Sequence, residues 1–152
     1  MCIRKKERKI MNNNRIEQEI FIKAPLHKAW PLLSQPAWWV GPEGPDQLDF
    51  DGPRVVADII YGKFTVLYER NEEPNYIACR WASSFPGEEP SEGNSTLIEF
   101  FLKSETDGTR LRVVESGFAS LDITEEARQK AFEENTKGWD VQLNKLRKRA
   151  EQ

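Results

Sequence analysis

Glu115 is the polar residue of this sequence best placed to do chemistry. Leu111, Val113 and Glu115 alternate along one apolar stretch, so a strand there puts all three on one face. If that face looks into a cavity, the carboxyl group is held among apolar side chains. Its pKa then rises, and it can orient a ligand or shuttle a proton. The plainer alternative is an acid at the cavity mouth, or one paired with an arginine. Arg80, beside Trp81, is a second candidate, because a guanidinium is a fork for carboxylates. Alternation puts Ile77, Cys79 and Trp81 on one face and Arg80 on the other. That makes Arg80 a solvated or surface-paired arginine unless a twist or bulge turns it inward.

Other catalytic machinery is missing from the pattern. His27 is the only histidine, and it stands beside Lys28 at a surface-type position in the first turn of a helix. A Ser-His-Asp or Cys-His arrangement would have to use it, and nothing places a nucleophile nearby. One histidine and two cysteines, Cys2 and Cys79, exclude the ordinary zinc sites. There is no Gly-rich phosphate loop, paired metal-binding histidine or cofactor fingerprint. Hydrolase, kinase and dehydrogenase readings are therefore poor, and neither cofactor nor metal is expected.

The aromatic residues point to a cavity instead. Trp38 and Trp39 are adjacent, so they cannot both face the core; one packs and the other lines a cavity edge. Trp81, Phe100 and Trp139 fall on the inward stripes of their elements, and Asn135 shares the stripe of Trp139. Tyr68 and Phe118 are weaker candidates whose faces the pattern leaves open. The expected cavity residues are thus Trp39, Tyr68, Trp81, Phe100, Val113, Glu115, Phe118, Asn135 and Trp139. No catalytic residue is assigned, Glu115 alone qualifying if the protein is an enzyme. Gly138 stands in the middle of a helix, where glycine costs about 1 kcal/mol relative to alanine. That cost suggests either close approach by a sheet or space left for a ligand.

The elements that would position these residues are legible. The chain has 152 residues, enough for one domain and hardly for two. At 38% hydrophobic and 31% charged it is polar but can build one core, a bulky one with five Trp and eight Phe. No apolar run approaches the roughly 18 residues of a membrane helix, and no signal-peptide pattern is present. Two cysteines make no disulfide scaffold, so a cytoplasmic setting is expected. Five of the 22 basic side chains, Arg4, Lys5, Lys6, Arg8 and Lys9, precede residue 10, together with only one of the 25 acids. The rest is acidic, which argues against a nucleic-acid partner. Residues 1–14 read as a disordered basic extension, and Met11 is an alternative start.

Residues 15–23 read as a strand, with Ile16, Ile20 and Ile22 at period two. Pro25 opens a short helix to Leu33, and a second short apolar piece follows at 37–40. Residues 41–53, with three Gly and three Pro, read as a loop or irregular edge. Strands are expected at about 54–61, 63–71, 75–83, 94–104 and 109–118, with Asp107-Gly108 as a hairpin turn. A long helix follows, roughly Thr124 to Arg149, capped by Thr124 or Asp122. Its stripe is Ala131, Phe132, Asn135, Trp139, Leu143, Leu146 and Ala150. Such a helix, about 39 Å long, can bury its stripe only against the concave face of a sheet. A strongly curved sheet gripping one helix leaves a gap, where a ligand pocket would lie.

The order and spacing of several pieces resemble a known family. They are Ile20-Phe21-Ile22-Lys23-Ala24-Pro25, Ala29-Trp30-Pro31-Leu32-Leu33, Trp38-Trp39, Arg80-Trp81, Asp107-Gly108-Thr109-Arg110-Leu111, Glu115-Ser116-Gly117-Phe118 and Gly138-Trp139. Together they look like a START-like (SRPBCC, helix-grip) domain, nearest the group related to the activator of the ninety-kilodalton heat-shock chaperone's ATPase. The likeness spans about residues 15–149. It implies an α+β fold: a curved antiparallel sheet of six to seven strands around a long C-terminal helix, with two short helices after the first strand. One such domain over 15–150 is expected. It also implies a cavity for an apolar or amphipathic small molecule. Relatives in the superfamily include lipid carriers, polyketide cyclases and hormone receptors, so fold does not settle function. Eukaryotic chaperone activators carry an additional N-terminal domain, which fourteen residues cannot supply.

Three functions compete. The first is binding of an apolar or amphipathic small molecule without catalysis. The second is a cyclase or dehydratase acting on an aromatic polyketide-like substrate, with Glu115 as general acid or base. The third is a chaperone-associated or regulatory interaction module, for which the loops at 41–53 and 84–93 are candidate surfaces. A homodimer is compatible with all three.

Overall fold

The computed structural model describes residues 14–41 and 47–152. The expectations about the basic extension and about Met11 as a start lie outside the described residues. Strand β1 spans Arg15–Ile22 and buries Ile16 and Ile22. Pro25 then opens helix α1, Leu26–Ser34, which buries Ala29, Trp30 and Leu33. A 3-10 turn follows at Pro36–Trp38.

Strands β2 (Gln47–Asp51), β3 (Arg54–Ile59), β4 (Gly62–Glu72), β5 (Tyr76–Trp81), β6 (Thr96–Glu105) and β7 (Gly108–Ser116) form one meander. The sheet order is β1-β7-β6-β5-β4-β3-β2, with every pair antiparallel. β2 lies inside the segment read from sequence as a loop or irregular edge. It pairs on one side only and is exposed except for half-buried Leu48; its five residues do alternate, with Leu48 and Phe50 on one face, but the run is short and set among glycines and prolines that read as loop. A bulge between Tyr68 and Arg70 shifts the register of β4 against β5, a device that bends a strand. At the β6–β7 hairpin, a Cβ on Gly108 would sit 2.1 Å from the Ile22 carbonyl oxygen, so only glycine lets β1 close there.

Helix α2, Glu125–Ala150, lies across the concave face of this curved sheet. Of the two expected caps, Thr124 is the one used: its hydroxyl accepts from the Ala127 N–H at 3.1 Å. Glu125 and Glu126 stand at the positive end of the helix dipole, and Arg147, Lys148 and Arg149 at the negative end. Ala131, Trp139, Gln142, Leu143, Leu146 and Ala150 form the buried face. All of these but Gln142 meet Val66, Ile77, Ile98, Phe100, Leu111 and Val113 from the sheet in one apolar core. The arrangement is the expected α+β helix grip, with seven strands.

Candidate functional site

Glu115 stands near the end of β7, and alternation from Leu111 through Val113 turns it inward. It is completely buried. β5 and β6 bring Trp81 opposite Thr96, and β6 and β7 bring Ile98 opposite Glu115. The ends of three neighbouring strands therefore converge. From above, Asn135 and Trp139 are one helical turn apart on α2, so both side chains reach the same spot.

Four residues donate to this one carboxyl group. Trp139 Nε1 reaches Oε1 at 2.7 Å, and Trp81 Nε1 reaches Oε2 at 2.9 Å. Thr96 Oγ1 reaches Oε2 at 2.6 Å. Asn135 Nδ2 lies 3.2 Å from Oε1 and 3.1 Å from Oε2. An indole N–H can only donate, so the two tryptophans require an acceptor at each oxygen. Burial pushes the Glu115 pKa up, and the hydrogen bonds from Thr96, Trp81, Trp139 and Asn135 oppose this. Among the described residues, no cation forms an ion pair with it.

Beside this cluster a cleft of about 410 Å³ opens between α2 and the sheet. Ile59, Phe64, Trp39, Trp81 and Trp139 supply its apolar wall, and Tyr61 and Val141 stand at its exposed edge. Gly138 lines it as well. A Cβ there would meet nothing within 4 Å, so the residue leaves open space and no strand approaches it. The polar lining is sparse. Asn135, Ser83 and Gln142 are partly sheltered, while Glu134 and Lys137 are exposed. Asn135 Nδ2 also reaches Ser83 Oγ at 3.3 Å, and Gln142 Nε2 donates to the Gly41 carbonyl.

Of the residues expected at a cavity, Trp39, Trp81, Asn135 and Trp139 line this cleft. Glu115 lies directly behind it, bonded to three of those four. Phe100 and Val113 are fully buried beneath. Phe100 packs edge-on against Trp39 and Trp139, with ring centroids 5.6 and 5.7 Å away. Phe118 packs edge-on against Phe132 at 5.4 Å and does not reach the cleft. Tyr68 lines a separate shallow hollow with Phe50, Pro53 and Val55. Its hydroxyl and the Trp39 indole N–H are both buried without a hydrogen-bond partner. Burial, and secondarily Cys79, push the Tyr68 phenol above its ordinary range.

The adjacent tryptophans do not divide as expected, with one packed and the other at a cavity edge: Trp39 both packs and lines the cleft, and Trp38 does not line it. Trp39 is buried, while Trp38 is 36% exposed under the Arg149 guanidinium at 4.5 Å. Arg80 faces away from the cleft side and pairs with Glu69 at 3.2 Å, and His27 is exposed. Sequence reasoning missed Phe64, Ser83 and Gln142. Phe64 alternates with Val66 on β4, Ser83 follows Trp81 by two, and Gln142 follows Trp139 by three, so periodicity carried a signal for each. Tyr61, in a turn, had none. Among the described residues, no three His, Cys, Asp or Glu side chains are grouped to hold a metal ion, and no helix is long and apolar enough to cross a membrane.

The family model for Activator of Hsp90 ATPase homolog 1-like proteins matches residues 19–151. Among solved structures, the chain is similar to protein MLL2253 from Mesorhizobium loti, with TM-score 0.67 and 21% identity over 89% of this chain and 95% of that one. It is similar to the Aha1 dimer from Colwellia psychrerythraea, with TM-score 0.68 and 19% identity over 90% and 96%. It is also similar to DynU16, a protein in the dynemicin biosynthetic locus, with TM-score 0.64 and 18% identity over 89% of this chain and 46% of that one. Identities this low show a shared fold. No curated protein matches the chain.

Proposed function

The chain belongs to the family of Activator of Hsp90 ATPase homolog 1-like proteins, and from that premise we propose that it binds an apolar or amphipathic small molecule in the cleft between sheet and α2, without catalysis. The cleft carries this reading. Its volume of about 410 Å³ and its tryptophan and phenylalanine wall suit a compact apolar ligand, with few polar groups to orient it. Catalysis has less support. Glu115, the expected acid or base, is screened from the cleft, and its two oxygens are occupied by four donor residues. A carboxylate in that state has little capacity left to take a proton from a substrate.

A second reading, a cyclase or dehydratase, draws on the likeness to DynU16, itself a protein of a biosynthetic locus. It would need a proton-transfer group at the cleft surface other than Glu115. A cytoplasmic setting fits the free, buried Cys79. Self-association has a counterpart in the dimer of the Colwellia protein.

Native mass spectrometry of gently purified protein tests the binding reading. The expected result is an additional mass that is lost on denaturation, or saturable binding of neutral aromatic compounds to the apo protein. A clean apo mass together with no binding of such compounds would overturn it.

A further inference from the structure

We infer that the cleft prefers a neutral ligand carrying a hydroxyl group, and that Glu115 sets this preference as a positioning residue by holding the Asn135 amide in one orientation. The inference rests on the binding reading above. It begins with the chemistry of the side-chain amide. Asn135 turns Nδ2 toward both Glu115 oxygens and toward Ser83 Oγ. The reverse orientation would set its carbonyl oxygen against a carboxylate, acceptor against acceptor. Glu115 thus dictates which end of the amide faces inward. Asn135 Oδ1 is left with no hydrogen bond from any described residue, and it is not among the buried atoms without a partner. It is therefore open to the cleft that Asn135 lines.

The same hub removes donors from the cleft. Trp81 and Trp139 both line it, yet both indole N–H groups are spent on Glu115. The Trp39 N–H is buried. All three tryptophans therefore offer the cleft ring carbon and no N–H. Gln142 has its amide nitrogen on the Gly41 carbonyl, which leaves its oxygen as a second acceptor. Ser83 Oγ accepts from Asn135, so its own hydrogen remains free to donate. The sheltered polar lining is two amide oxygens, one hydroxyl and the second N–H of the Gln142 amide. A ligand hydroxyl matches the neighbouring pair Asn135 and Ser83, donating to Asn135 Oδ1 and accepting from Ser83. A ligand carboxylate can accept from Ser83 but otherwise faces the two amide oxygens and cannot donate to either. Glu134 and Lys137 are both exposed at the edge, where water screens repulsion and attraction alike.

Calorimetric titration of the full chain near pH 7 with four probes tests this: 2-naphthol, naphthalene, 2-methoxynaphthalene and 2-naphthoate. Naphthalene and the methyl ether bracket the alcohol in size but cannot donate. The alcohol is expected to bind about fivefold tighter than either, the effect of one hydrogen bond, and the carboxylate about tenfold or more weaker than the alcohol. In Asn135→Ala the alcohol's advantage disappears while binding of naphthalene persists. In Glu115→Gln the Gln amide can face the Asn135 oxygen, the Asn135 amide turns, and the advantage disappears although Asn135 is intact. A merely structural role for Glu115 would lower all four affinities together and leave their ratios unchanged. If Glu115→Gln does not fold, Asn135→Ala and Ser83→Ala carry the test. Equal affinities for alcohol and ether, or tightest binding of the carboxylate, would overturn this inference and leave the binding reading standing. Binding of none of the four would overturn the binding reading itself.

Discussion

Two indole N–H groups have no chemistry open to them but donation, and both point at Glu115. A glutamine at this position has one oxygen for two indoles, so one N–H must lose its acceptor. Glu115→Gln is expected to cost about 2 kcal/mol, and Glu115→Leu, which orphans both indole N–H groups, more than about 3 kcal/mol. Urea denaturation checks both. Equal stability of all three proteins would contradict the hub. The charge has a pH signature as well. Burial holds the native pKa above the ordinary value of 4.5. Above that value the unfolded chain has released a proton that the native protein still holds, so raising the pH favours unfolding until the native group also ionises. The stability of the wild type relative to Glu115→Gln should therefore fall as pH rises from about 4.5, then level off. A relative stability that rises over this range would show that the hydrogen bonds outweigh burial. Alternation along β7 made the inward turn of Glu115 legible in the sequence. Its partners were not, because they depend on the register of three strands and on how the helix settles over them.

Gly138 is where the needs of helix α2 and cleft diverge. Alanine is the better helix former by about 1 kcal/mol, and a Cβ there meets nothing within 4 Å. Gly138→Ala should raise stability by up to about 1 kcal/mol, while its methyl group intrudes on the cleft and weakens ligand binding. Thermal unfolding and calorimetric titration check the two effects separately. A stabilised variant with unchanged affinity would place the ligand elsewhere. At the start of the same helix, Thr124→Ala removes the acceptor of the Ala127 N–H and should cost about 1 kcal/mol. Helix α2 was readable from sequence because its cap, its charged ends and its stripe agree with one another. Two elements of the reading fared differently. β2 alternates but is only five residues long and was hidden by the glycines and prolines on either side, and the sequence posed two explanations for Gly138, close approach or space, that only the three-dimensional arrangement could separate.

In the molecule as a whole, β1 closes the sheet on β7, nearly a hundred residues further along the chain. Such pairing orders a long loop before it gains contacts, so folding is expected in the range of milliseconds to seconds. One core joins both layers, and unfolding followed by tryptophan fluorescence and by far-ultraviolet circular dichroism should coincide. Separate transitions would show that sheet and helix do not melt as a unit. The five tryptophans also offer the most direct test of the cleft as a binding site. Trp39, Trp81 and Trp139 line it. Trp30 instead donates to Glu73 at 2.9 Å, and Trp38 lies under Arg149. The measurement is the set of indole N–H resonances of nitrogen-15-labelled protein during titration with 2-naphthol. The expected result is saturable movement of the Trp39, Trp81 and Trp139 signals, with Trp30 and Trp38 stationary. Unmoved signals, or movement confined to Trp30 and Trp38, would contradict the cleft as the binding site.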